Sequence, residues 1–332
     1  MRAMDFIHDT DYLQMEYEPP FWAKSRTLNT LITSQFRRVS LPMIPKVIAV
    51  NTDDGDLLWF DYYPSTQNDA PLAVLSHGLE GHSRKAYVLG MTKALLKFGF
   101  AVIAWNYRGC GGRDNRLLRF YHAGATEDLH RIVKEGAKKH SAIFLAGFSL
   151  GGNITANYLG SYRSLGPHTQ VRGGAVISVP FDMLDSGLTL HHPRNWLYEQ
   201  RFLNKLRNKV RRKLLSFPNL PNKEKLFQVM SLEEFDDYFT APIHGFENAR
   251  DYWTKTSSKN VLCKICVPML AIQSQDDPFF SQGNQPANLP SSPTTTWITP
   301  RYGGHLGFTQ KKSHETFPEE VVPKYFKSKM QY

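Results

Sequence analysis

The sequence is poor in the features that would commit it to several broad classes of protein. Cysteine occurs three times in 332 residues, at Cys110, Cys263 and Cys266. That is too few for a disulfide framework and suits a reducing compartment. No stretch approaches the roughly 18 uninterrupted apolar residues of a bilayer-spanning helix. The opening "MRAMDFIHDTDYLQ" has no continuous apolar run and carries three aspartates, so no secretory signal is readable. Low-complexity tracts and internal repeats are missing, while aromatics reach 13% and hydrophobic residues 41%. Disorder is excluded as the dominant state, and a sizeable buried core is expected. The expected location is the cytoplasm.

Acidic residues are also in the minority, 30 against 40 Lys and Arg, for a net charge of +10. The excess is local. Between Arg194 and Lys213 eight basic residues face a single acid, Glu199, so the chain as a whole does not read as a nucleic-acid binder. This basic run has three readings: a solvated helix face, a surface that meets anionic lipid or an acidic acyl carrier, or a contact with nucleic acid. The first is the ordinary one, the second makes anionic lipid a candidate partner, and no nucleic-acid partner is expected.

What the sequence does contain is an alternation of apolar runs and helical periodicities. After an N-terminal extension (1–45) with a short helix in "LNTLITSQFRR", the Asp54-Gly55 pair splits two apolar runs, a hairpin signal. Strands are then expected at 71–78, 100–109, 142–149 and 173–180. Helices are expected in "RKAYVLGMTKALLKFG", at 126–140 and in "LGGNITANYLGSY". Nearly continuous apolar strands separated by helices define an α/β fold with a mostly parallel central sheet and helices on both faces. From 181 to 262 the rhythm breaks. There Leu203, Leu206, Val210 and Leu214 fall on one helical face, giving a helical lid or cap insertion between the core segments 46–180 and 263–332. Strands return at 267–278 and 294–305, before a C-terminal helix near 313–328.

The chemistry is carried by "AIFLAGFSLGGN". Gly147-Phe148-Ser149-Leu150-Gly151 is a G-x-S-x-G between a strand and a helix, the setting in which a sharp, strained turn lifts a serine above the carboxyl edge of a sheet. The ordinary alternative is a tight strand-to-helix turn with no chemistry. A serine hydroxyl needs a positioned base, itself oriented by a carboxylate. His305, in the Gly-rich "RYGGHLGF" past the last expected strand, stands apart from the other eleven histidines. The acid should follow the strand "PMLAIQSQ", where Asp276 and Asp277 are both available. The backbone N–H groups of Leu150 and Leu79, the latter in "HGLEG", are the expected oxyanion donors. His77 is read as shaping that loop, and Arg108 and Glu80 as loop-fixing hydrogen-bond partners. Cys263-Lys-Ile-Cys266 has no second ligand pair and reads as ordinary cysteines, as does Cys110.

"HGLEG", "NYRGCGG", "YHAGATEDL", "GFSLGGN", "EFDDYFTAPIHGF", "DDPF" and "GGHLGF" together resemble the YheT-like group of α/β-hydrolases. That bacterial branch is related to ABHD1/ABHD3-type lipases and yeast ethyl-ester synthases. The resemblance spans roughly residues 18–310. It implies the α/β-hydrolase fold, a Ser149–Asp277–His305 triad with Asp277 favoured because the family's acid tends to precede a turn-forming proline, and no metal or organic cofactor. It also implies hydrolysis of short- to medium-chain acyl esters, a small-molecule substrate. Acyl transfer to an alcohol or cleavage of phospholipid would use the same triad, and a non-catalytic binding protein on this fold is the remaining alternative. The sequence departs from the group in "FWAKSRTLNTL", which lacks a His-Leu-Gln run after "PPF"; only the packing of the N-terminal segment rests on that run.

Overall fold

The Asp54-Gly55 turn joins β1 (Lys46–Asn51) to β2 (Leu57–Tyr63) in antiparallel register, with Val50 opposite Leu58. This hairpin forms the edge of an eight-stranded sheet in a computed structural model that describes residues 13, 15–161, 170–290 and 292–331. The remaining strands are β3 (Leu72–Ser76), β4 (Ala101–Asn106), β5 (Ile143–Phe148), β6 (Val171–Ile177), β7 (Met269–Ile272) and β8 (Thr295–Ile298). Their spatial order is β1-β2-β4-β3-β5-β6-β7-β8. β2 pairs antiparallel with β4, and every pairing from β4 to β8 is parallel. All but one of the first fourteen residues lie outside the described residues, as does the end of the helix read through residue 162.

β3, β4 and β5 are buried along their whole lengths, which is why they read as continuous apolar runs rather than alternating ones. Alternate residues feed two cores. Leu72, Val74, Ile103 and Leu145 pack under α3 (Thr126–Ala137) and α4 (Leu150–Ser161), against Leu129, Ile132 and Ile154. Ala73, Leu75, Val102 and Phe144 pack on the other face under α2 (Ala86–Lys97) and α10 (Phe317–Ser328), against Met91, Leu95 and Val322. Right-handed crossovers between parallel strands bring the loops after β3, β5, β6, β7 and β8 to one edge of the sheet.

Between β6 and β7 the chain is helical: α5 (Met183–His191), α6 (Trp196–Ser216), α7 (Leu232–Phe235), a π-helical turn (Asp236–Thr240), α8 (Ala241–His244) and α9 (Ala249–Thr256). Leu203, Leu206 and Val210 of α6 are buried against Leu220, Val229 and Phe235. The basic run needs a correction. Lys209 and Lys213 are 1% and 2% exposed, not solvated. The apolar stems of these lysines let the helix lie on the core while each ammonium reaches a partner. Lys209 Nζ is 2.8 Å from the Glu80 carboxylate, and Lys213 Nζ donates to the carbonyls of Asn115 and Leu117.

Candidate active site

Ser149 follows β5 directly and opens α4 with φ = +54°, a conformation that costs a residue with a side chain on the order of 1 kcal/mol or more. The flanking glycines make this turn possible by close approach. A Cβ on Gly147 would lie 2.3 Å from the Gly151 carbonyl oxygen, and one on Gly151 would lie 2.3 Å from that of Ser76 and 2.4 Å from that of His77. Any side chain there would push α4 off the end of β3. Strain is concentrated here: Glu80 and Leu306, which line the same cleft, and Ser178, which receives the Leu306 N–H, also have left-handed φ.

His305 sits in the loop after β8 with Nε2 2.9 Å from Ser149 Oγ. Its Nδ1 lies 2.9 and 3.2 Å from the two carboxylate oxygens of Asp277, in the loop after β7. A carboxylate only accepts, so Nδ1 carries the hydrogen and Nε2 is left to accept from the serine. Asp277 and not Asp276 meets the imidazole. Asp276 turns to the backbone, accepting from Gly304 N–H at 2.8 Å, and burial raises its pKa. Phe279 lies over the imidazole with ring centroids 4.1 Å apart.

Leu79 and Leu150 both line the cleft beside Ser149, and among the described residues neither backbone N–H has an acceptor. The Leu79 loop is fixed by three tyrosines. Tyr87 Oη accepts from Gly78 N–H at 3.0 Å, and Tyr121 Oη accepts from Glu80 N–H at 3.0 Å while donating to the Glu80 carboxylate at 2.8 Å. The Tyr107 hydroxyl donates to the His77 carbonyl. His77 is held neutral by full burial, its pKa lowered to about 3. Its Nδ1–H donates to the Gly78 carbonyl at 2.8 Å and its Nε2 accepts from Tyr107 N–H at 3.3 Å. His77 is therefore a scaffold group that does not titrate at physiological pH.

Sequence reasoning missed these tyrosines; it expected the short helix that is α1 (Arg26–Phe36) but gave it no part in the site. Thr30 Oγ1 of α1 accepts the backbone N–H of His305 at 2.8 Å, and the Asn29 side chain accepts from the Thr309 hydroxyl at 3.1 Å. The N-terminal helix thus holds the histidine loop. Polar residues on a short helix gave no signal of a partner some 275 positions away.

Two arms open from Ser149 and His305. One, a cleft of about 780 Å3, runs under α5, α6 and α9 and is lined by Met183, Leu190, Leu206, Leu232 and Trp253. The other, about 850 Å3, runs along α1, the start of α2 and α6.

One acid, Asp236, lies on the apolar arm, accepting from Thr240 Oγ1 at 2.5 Å and from Trp253 Nε1 at 2.8 Å. Burial of the carboxyl raises its pKa from 3.8 to about 7. The native carboxyl then keeps a proton that the unfolded chain has lost, so its effect on stability is most favourable below the unfolded value and declines as pH rises from 3.8 toward about 7. Asp236→Asn should therefore gain in Tm on the wild type as pH rises through that window, and level off above it. Tm profiles of the two proteins that run parallel from pH 4 to 8 would contradict this.

An elbow serine, a histidine after the last strand and a carboxylate after the strand before it, all at one edge of a mostly parallel sheet, define an α/β-hydrolase. Residues 71–312 match the alpha/beta hydrolase fold family, and the chain belongs to that family, within its esterase- and lipase-like members. The YheT protein of Escherichia coli (strain K12) is 33% identical over 85% of this chain and 83% of its own length. The human protein named phospholipase ABHD3 is 29% identical over 89% of this chain and 74% of its own. Est1E from Butyrivibrio proteoclasticus, solved with ferulic acid bound, superposes with a TM-score of 0.58 over 86% of this chain and all of its own, at 15% identity. At that identity the likeness is one of fold.

Proposed function

We propose that the protein is a serine carboxylic-ester hydrolase acting on short- to medium-chain acyl esters through an acyl-enzyme. One observation carries the reading: Ser149 Oγ, His305 Nε2 and the Asp277 carboxylate lie in an unbroken hydrogen-bonded row beside two unpaired backbone N–H groups. His305 takes the proton from Ser149 as Oγ attacks the acyl carbonyl, and Asp277 steadies the imidazolium that forms. The N–H groups of Leu79 and Leu150 receive the oxyanion, each worth about a hundredfold or more in turnover. His305 returns the proton to the departing alcohol, and water, activated in turn by the same nitrogen, releases the acid. The acyl chain occupies the apolar arm, and helices α5 to α9 act as its lid.

The lid also supports the proposed contact with anionic lipid. Leu188, Trp196 and Leu197 are 46%, 57% and 70% exposed near Arg194 and Arg201, an apolar patch beside positive charge. Sedimentation with phosphatidylglycerol vesicles that weakens with salt is the expected sign of it. The catalytic reading is tested with a fluorophosphonate probe. Labelling of the native protein at Ser149, lost on heat denaturation, is expected of an activated nucleophile. A native protein that stays unlabelled is a binding protein on a hydrolase fold.

A further inference from the structure

We infer that the second arm of the cleft is a subsite for an anionic group, phosphate or carboxylate, carried on the alcohol side of the ester. This rests on the serine-esterase reading and adds to it the class of leaving group. The wall of that arm presents Lys85, at the start of α2, and Arg201 and Lys205, one turn apart on α6. Among the described residues none of these three side chains makes an ion pair. The arm's one carboxylate, Glu80, is already engaged 2.8 Å from Lys209, and Lys205 Nζ reaches only the Glu80 carbonyl, at 3.3 Å.

Elsewhere, several cations are matched by carboxylates, while the buried Lys213 has carbonyl partners. Arg37 meets Glu319 at 2.6 Å, Arg84 meets Asp61 at 2.9 Å, and Arg108 lies among three aspartates. Three like charges left together in a partly enclosed cleft repel one another. Burial and the charge of Arg201 hold the Lys85 ammonium below its ordinary pKa, and burial with the charges of Lys85 and Arg201 does the same to Lys205. A bound anion would remove that repulsion. The helix dipole of α2 adds positive potential at Lys85. The apolar arm is lined by no Lys or Arg, so it suits an uncharged acyl chain. With that chain in place, the alcohol of the same ester must lie in the cationic arm.

The test compares 3-(butanoyloxy)benzoate with its uncharged methyl ester on the wild type, Lys85→Met and Arg201→Met. The expected result is a kcat/KM favouring the anion by about tenfold, carried by KM. That preference should shrink severalfold in each variant and as salt rises toward about 1 M, where screening is short-ranged. A mono-4-nitrophenyl succinate, with its charge on the acyl side, should show no such preference over 4-nitrophenyl butanoate. Hydrolysis of soluble hexanoyl-glycerol 3-phosphate, or of a hexanoyl phosphatidic acid held in phosphatidylcholine vesicles, would support the subsite and separate a soluble from a membrane-borne ester. If the wild type cleaves the neutral ester without preferring the anion, or the preference survives in both variants, the subsite is overturned and the esterase reading stands. If neither ester is cleaved and the fluorophosphonate leaves Ser149 unlabelled, both fall.

Discussion

Ser149→Ala lowers kcat for a 4-nitrophenyl ester by about a millionfold, and Asp277→Asn lowers it by about ten-thousandfold at neutral pH. The two losses differ because the residues act differently. Without the hydroxyl no acyl-enzyme forms, and only the oxyanion donors and binding remain. With asparagine at 277 the side chain can donate as well as accept, so the tautomer with hydrogen on Nε2 becomes available and His305 no longer takes the serine proton. The present row requires the opposite tautomer, with Nδ1–H donated to Asp277 at 2.9 Å.

Asp276→Asn is the control. Its carboxylate accepts from Gly304 N–H, which an amide oxygen can do equally well, so its loss in kcat stays within about tenfold. Steady-state and burst kinetics on the three variants, with circular dichroism to check folding, decide the matter. An Asp276→Asn defect larger than that of Asp277→Asn would reverse the assignment of the acid, and a Ser149→Ala protein as active as wild type would end the scheme.

The parts of this site that could be read from the chain share a physical reason for being readable. Ser149 is bracketed by glycines because backbone atoms of β3 and α4 come within 2.6 Å of where their side chains would begin. Such steric demands leave a local mark. The strands left theirs through burial on both faces, and the hairpin through its Asp54-Gly55 turn. The choice between Asp276 and Asp277 left only a family resemblance, the proline after Asp277, since adjacent residues otherwise differ only in the direction each side chain takes at the turn. Nor did the inward course of Lys209 and Lys213, because a lysine looks the same in sequence whether its ammonium meets water or Glu80. The Thr30 contact with His305 and the three tyrosines behind Leu79 are long-range pairings, and a single sequence carries no record of them.

Arg108→Met should cost about 3–5 kcal/mol of stability, the range for stranding buried charge by removing its partner. The guanidinium is 1% exposed. It meets Asp128 at 2.6 Å, Asp54 at 2.7 Å and Asp56 at 3.0 Å, and Asp56 and Asp128 are themselves buried. Arg108 thus ties the β1–β2 hairpin turn to the first turn of α3. Against the 5–15 kcal/mol typical of a folded domain, such a loss is large, and it should lower Tm by about 5–10 °C. The deficit depends on pH in a defined direction. Burial alone would raise the Asp54 pKa, but hydrogen bonds from Arg108 and Thr52 bring it down from 3.8 to about 2. A depressed carboxylate contributes stability above its unfolded value and loses it as pH falls toward the folded one. The gap between wild type and variant should therefore be widest near pH 7 and narrow between about pH 4 and pH 2. Activity should suffer with stability, because Tyr107, the residue before Arg108, donates to the His77 carbonyl behind the oxyanion loop. Urea titrations of both proteins at pH 7 and pH 3 measure the gap. A variant within about 1 kcal/mol of wild type at pH 7 would mean that the three aspartates find other partners, or that their attraction to Arg108 does little more than offset its desolvation.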